Sequence, residues 1–165
     1  MMRESQYLAE YAKSHQHETN LWIHMVCVPA IFASSLALLW LVPVGQWLPG
    51  VPAAIVPWLN VATVGLPFAL VFYARLSAGA LLTGAVWVAI SVALTLAALQ
   101  AGWPVFWIAV GIWVAAWLLQ FYGHKVEGKK PSFAKDLLFL LIGPLFVQQK
   151  FNRLLTSGSI HPQAH

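Results

Sequence analysis

Polar positions crowd toward the two ends of this chain and almost vanish between them. From Trp22 to Ala74, and again from Ala78 to Tyr122, the sequence is predominantly apolar, broken by His24 and scattered uncharged polar and turn residues, and Arg75 is the one charged side chain in that stretch. A hydrocarbon core of about 30 Å takes a helix of about 20 apolar residues at 1.5 Å each. Turn-rich breaks at 43–52, 75–79 and 100–102 cut the apolar stretch into four such pieces, at about 22–42, 53–74, 80–99 and 103–122. Pro57 and Pro67 fall inside the second piece. A membrane helix tolerates them where neighbours satisfy the freed carbonyls, so that span is expected to be kinked.

The flanks carry a different periodicity. Residues 3–14 place Tyr7, Leu8 and Tyr11 on one side of a short helix with charges opposite, the pattern of a helix lying in a membrane interface. Residues 136–149 are apolar for too few positions to span and are interrupted by Gly143-Pro144, so they read as a re-entrant or interfacial helix. The tail 156–165 reads as disordered. The pattern predicts an all-α fold: an integral membrane four-helix bundle with amphipathic, interfacial helices at both ends, forming a single membrane domain over residues 1–155.

Composition agrees with that class. Hydrophobic residues make up 60% of the chain and charged residues 8%, against about 25% charged in a soluble domain, and the mean hydropathy is +0.73. A soluble enzyme or a nucleic-acid-binding module is excluded on these grounds. Residues 1–18 lack an apolar cleavable segment, so the first span is expected to serve as the insertion signal. All 9 basic residues sit before the first span, at Arg75, or from Lys125 onward. Cytoplasmic loops collect Lys and Arg, so both termini are expected on the cytoplasmic side, of a bacterial inner membrane or the endoplasmic reticulum. Trp22, Trp40, Trp47 and Trp103 fall near span ends as an interfacial belt. Cys27 lies in an apolar helix and reads as packing.

The candidate chemistry lies where the spans meet the flanks. His15, His17, Asn20 and His24 precede or open the first span, and Gln120 and His124 close the fourth. Asn20 and His24 are four apart and share a helical face, as do Gln120 and His124. Imidazoles and amides at that depth are costly unless paired, which makes them functional candidates. Three neutral imidazoles from different segments suit a divalent transition metal. Glu127, Asp136 and Asn20 are placed either to complete the coordination or to orient the rings. A lone interfacial histidine is more often an anchor, and His17 reads as that or as a helix N-cap; His161 and His165 belong to the polar tail. The run Lys125, Lys129, Lys130 and Lys135 fits attraction to anionic lipid or capture of a substrate carboxylate.

His15-x4-Asn20-x3-His24-x4-Pro29, followed by Gln120-Phe121-Tyr122-Gly123-His124, Glu127, Lys129-Lys130-Pro131 and Gly143-Pro144-Leu145-Phe146, resembles the Mpo-like family of 2-hydroxy fatty acid dioxygenases. The resemblance implies an Fe(2+)-dependent membrane enzyme that uses O2 to shorten a long-chain 2-hydroxy fatty acid by one carbon, an α-oxidation carried out among membrane lipids. It implies His15, His24 and His124 as metal ligands, with Asp136 as a further candidate, and Asn20, Gln120 and Glu127 as the nearby polar, candidate catalytic positions. Lys125 or Lys129 would steer the carboxylate. Two other readings stand beside it: a haem-binding protein using His24 and His124, and a non-catalytic small membrane protein in which the histidines are anchors.

Overall fold

The computed structural model describes residues 3–128 and 133–158, with backbone alone for 133–139. The described residues are helical, without strands: α1 (Glu4–Ala12), α2 (Glu18–Trp40), α3 (Val44–Trp47), a 3-10 turn (Val56–Trp58), α4 (Val61–Leu76), α5 (Ala78–Gln100), α6 (Val105–Glu127) and α7 (Phe133–Ser157). They form two compact units, one of residues 1–29 and 116–165, the other of residues 30–115.

In the second unit the helices are inside out relative to a soluble bundle. On α5 the small or polar Ala80, Gly84, Ser91 and Thr95 are buried with Val88, while Leu82, Val86, Ile90 and Leu94, at four-residue spacing, are exposed. Small residues inward let backbones approach, and large apolar ones outward suit lipid. Gly84 shows the closeness: a Cβ there would collide with the ring of Tyr73, which is fully buried. The buried hydroxyls need no outside partner. Ser91 Oγ–H donates to the Trp87 carbonyl and Thr95 Oγ1–H to that of Ser91, both at 2.8 Å. Phe32, Leu36 and Trp40 of α2 pack with Ala62 of α4 and Val88 of α5.

Among the described residues, three stretches are long and apolar enough to cross a membrane, Glu18–Trp47, Ala78–Gln100 and Val105–Glu127, and Val61–Leu76 is a shorter apolar helix. The second expected span therefore differs from the sequence reading, which began it near residue 53. Its start is set by a capping box: Asn60 Oδ1 accepts from the Thr63 N–H at 3.0 Å and Thr63 Oγ1 from the Asn60 N–H at 3.1 Å, fixing Asn60 in an extended conformation just outside the helix. The residues before it are tied back by Gly45 N–H to the Leu59 carbonyl at 2.7 Å and Val61 N–H to that of Val42 at 3.1 Å. Gly45 permits this because a Cβ would sit 2.6 Å from the Val56 carbonyl oxygen.

The other correction concerns the C-terminal helix. Gly143-Pro144 does not break it; α7 is continuous for 25 residues and takes in Thr156 and Ser157, which the sequence pattern places in the tail. Proline inside a helix removes one hydrogen bond and costs about 3 kcal/mol. Here that is offset by burial of an unbroken apolar run from Ile142 to Val147. Gly143 lets α7 lie against α2, since a Cβ there would be 2.8 Å from Val28 Cγ1.

Candidate metal centre

The first unit holds the described histidines, His15, His17, His24 and His124. After α1 the chain turns at Lys13–His17, with Ser14 and His15 N–H groups bonded to the Tyr11 and Ala12 carbonyls. His17 then caps α2: its Nδ1 accepts from the Thr19 N–H at 3.2 Å, the role of an N-cap side chain, and the ring is exposed. Starting α2 at Glu18 puts Asn20 and His24 one turn apart and buried. α6 runs to Glu127, beyond the end expected from hydropathy near residue 122. Gln120, His124 and Glu127 consequently fall at i, i+4 and i+7 on one stripe.

His15, His24 and His124 converge. Their candidate ligand nitrogens lie within 4.8 Å of one another, and the ring centroids are 4.1 Å (His15–His24), 5.2 Å (His15–His124) and 5.1 Å (His24–His124) apart. All three are buried, at 5%, 2% and 8% exposure. His15 Nδ1 is 2.6 Å from the Tyr11 carbonyl and His24 Nδ1 2.9 Å from that of Asn20. A carbonyl only accepts, so both Nδ1 atoms carry the proton and both Nε2 atoms present lone pairs. His15 Nε2 is buried without a hydrogen-bond partner. Burial first, and then the neighbouring His24, hold the His15 pKa at about 2, below the usual 6.5, so this ring is neutral and ready to ligate at physiological pH.

A second layer fixes this arrangement. Glu127 Oε1 accepts from the Gln16 N–H at 2.8 Å, and Oε2 from the His17 N–H at 2.9 Å and from Asn20 Nδ2 at 3.1 Å. Asn20 Nδ2 also donates to the Ser14 carbonyl at 3.1 Å. These two acceptors orient the amide, turning Oδ1 toward Gly123, where it is buried without a partner. A Cβ at Gly123 would collide with it. The carboxylate at the N-terminal end of α2 also complements the helix dipole. Glu127 thus links α6 to the turn that carries His15.

Of the other residues read from the sequence, Gln120 is buried one turn before His124. Lys125 is exposed. Lys129, Lys130, His161 and His165 lie outside the described residues, as do the side chains of Lys135 and Asp136. Three contributors were missed. Tyr11 stacks on His15, with centroids 4.2 Å apart and planes 6° from parallel. Phe146 lies 4.7 Å from Tyr11 and 5.7 Å from His15. Lys150 is buried with its ammonium 5.3 Å from the Phe146 ring centre. Tyr11-x3-His15 and Phe146-x3-Lys150 are one-turn pairs that a search for helical neighbours of each histidine and lysine would have flagged.

The donor set fits a transition metal. A metal bonded at about 2.1 Å holds adjacent nitrogens about 3 Å apart, so shifts of about 1 Å per ring suffice to close the three donors on one ion. Residues 1–154 match the family model described as 2-hydroxy-palmitic acid dioxygenase Mpo1-like. The chain belongs to the Mpo1-like family. No curated protein and no solved structure matches it. The match runs through α1, the histidine centre and nearly all of α7, so the Mpo1-like signature takes in every described residue of the centre.

Proposed function

We propose that this Mpo1-like chain is an iron(II)-dependent membrane dioxygenase that carries out α-oxidation of long-chain 2-hydroxy fatty acids, giving the acid one carbon shorter. The observation that carries the reading is the trio of buried imidazoles whose candidate ligand nitrogens lie within 4.8 Å of one another, two of them with Nδ1 tied to a backbone carbonyl, which leaves Nε2 as the free donor. His15, His24 and His124 would hold the iron, which supplies the oxygen chemistry when bound. The chain's own residues do the rest. The Tyr11 and Asn20 carbonyls fix the ring tautomers, a hydrogen-bonded support that also raises ligand basicity. Tyr11 and Phe146 wall the centre with aromatic surface and exclude water. Glu127 and Asn20 keep the His15 turn in register with α2 and α6, and Gln120 adds a polar group one turn along the His124 face. Haem ligation by His24 and His124 is disfavoured, because His15 stands against both rings and fills the slot a porphyrin would need.

The test is to supply the purified protein with ferrous iron, oxygen and 2-hydroxypalmitic acid. The expected product is the acid one carbon shorter, formed only when all three are present. Absence of that product from iron-loaded protein counts against the proposal.

The membrane arrangement we propose has four crossings with both termini cytoplasmic. α4 has 16 residues, about 24 Å of helix, and a modest mismatch with the bilayer is accommodated by local thinning. An even number of crossings keeps every Lys and Arg on one side, as the positive-inside rule favours. Cysteines introduced at the exposed Leu48 and Ala101, in a background lacking Cys27, should react with an impermeant reagent from outside the cell only. Labelling from the cytoplasm contradicts this topology.

A further inference from the structure

Asn20 ties together the three segments that carry the histidines. Its backbone carbonyl holds His24 Nδ1 at 2.9 Å. Its amide Nδ2 donates to the Ser14 carbonyl, next to His15, and to Glu127 Oε2 of α6, each at 3.1 Å. The residue is wholly buried. With Nδ2 held from two directions the amide cannot turn, and its Oδ1 occupies the place a Cβ on Gly123 would take. Gly123 is the residue before His124.

The backbone of α6 does not call for glycine at this position. Gly123 is inside the helix and its φ is not positive, so alanine could adopt the same conformation and would favour the helix. The space calls for it. A Cβ would collide with Asn20 Oδ1 and lie 3.3 Å from Asn20 Cγ and from Ile23 Cδ1. The close approach is kept although it leaves Oδ1 buried without a hydrogen-bond partner, which is itself unfavourable.

A side chain at position 123 can be relieved in two ways. Either the Asn20 amide swings aside and gives up Ser14 and Glu127, or α6 moves off α2. Restoring an ordinary separation of about 3.5 Å takes a movement of about 1 Å. That is the size of the shift each ring needs to close on one ion, and here it would go to separating His124 from His24.

We propose that Gly123 is a positioning residue for the metal centre: by having no side chain it seats the Asn20 amide against α6 and so holds His124 within closing distance of His24. The assignment rests on the metal-centre reading above and adds to it the contact that sets the spacing of α2 and α6 at the site.

The experiment is a double-mutant cycle on the full chain in detergent: wild type, Gly123→Ala, Asn20→Ala and the double variant. Gly111→Ala on the same helix is the control, since a Cβ there meets nothing within 4 Å. Iron(II) affinity, by anaerobic competition with a chelator, and melting temperature are read for each. Gly123→Ala should weaken iron binding at least about tenfold, the lower end of the range for a support behind a ligand, and lower the melting temperature. In the Asn20→Ala background the same change should cost no further affinity and should raise the melting temperature, because only the helix preference of alanine is left. Gly111→Ala should bind iron as wild type does. Wild-type iron affinity in Gly123→Ala, or equal effects of Gly123→Ala with and without the Asn20 amide, overturns the assignment. A wild type that holds no iron defeats the metal-centre reading instead, and the sign of the melting shift in the two backgrounds still decides the Gly123–Asn20 contact.

Discussion

Replacing His24 by alanine yields a folded protein that retains no iron and does not turn over a long-chain 2-hydroxy acid; the same holds for His124. Loss of a hydrogen-bonded support behind a metal ligand already costs 10–100-fold, so loss of the ligand itself should lower turnover by more than about a hundredfold. Stability should change far less. The apolar contacts of α2 with α4 and α5 lie elsewhere, at Phe32, Leu36 and Trp40, and do not involve His24. His24→Gln, which fills most of the ring's volume and keeps a donor near the Asn20 carbonyl, serves as the control for cavity formation. It should match wild type in thermal stability in detergent and match the alanine variant in turnover. Full turnover in either variant would falsify the role assigned to His24.

Glu127→Ala is expected to damage the fold of the site as well as its activity. Three donors lose their acceptor at once: the Gln16 N–H, the His17 N–H and Asn20 Nδ2. Hydrogen bonds to a charged group contribute about 1.5–3 kcal/mol each, and water reaching the partly exposed carboxylate site recovers some of that, so a net loss of about 2–4 kcal/mol is expected. Iron affinity should drop 10–100-fold, the range for a support residue behind a ligand. Glu127→Gln should fall between, because one of its two terminal atoms becomes a donor facing a donor. Were Glu127 a proton-transfer group instead, Glu127→Gln would abolish turnover while leaving iron affinity and melting temperature at wild-type values. Measuring all three quantities separates these roles.

Much of the molecule follows from local rules. The uniform apolar runs of α5 and α6 admit one reading, and the spacings Asn20-x3-His24 and Gln120-x2-Gly123-His124 place each pair on a face without knowledge of the rest. The departures arise where tertiary contacts override local signals. The start of α4 depends on Asn60 and Thr63 capping each other and on Gly45 lying under Val56, and both are invisible to hydropathy. Gly143-Pro144 reads as a break, yet the glycine exists to admit Val28 and the proline is carried by the burial around it. Polar residues at the end of α6 look like the start of a loop, but Glu127 is helical because it has three hydrogen-bond donors to meet. Lys150 was hidden by its company: in a run of basic residues after the last span, a buried lysine has the same signature as those that mark the cytoplasmic side. Tyr11 was assigned to an amphipathic face, and only the convergence of α1 with α7 shows that this face looks onto His15.

The central claim is that His15, His24 and His124 form one metal centre. Iron content per chain, measured on wild type and on a variant lacking all three imidazoles after identical anaerobic loading and desalting, tests it most directly. The account predicts stoichiometric iron in the wild type and none above background in the triple variant. Equal iron in the two proteins, or none in either, would contradict it.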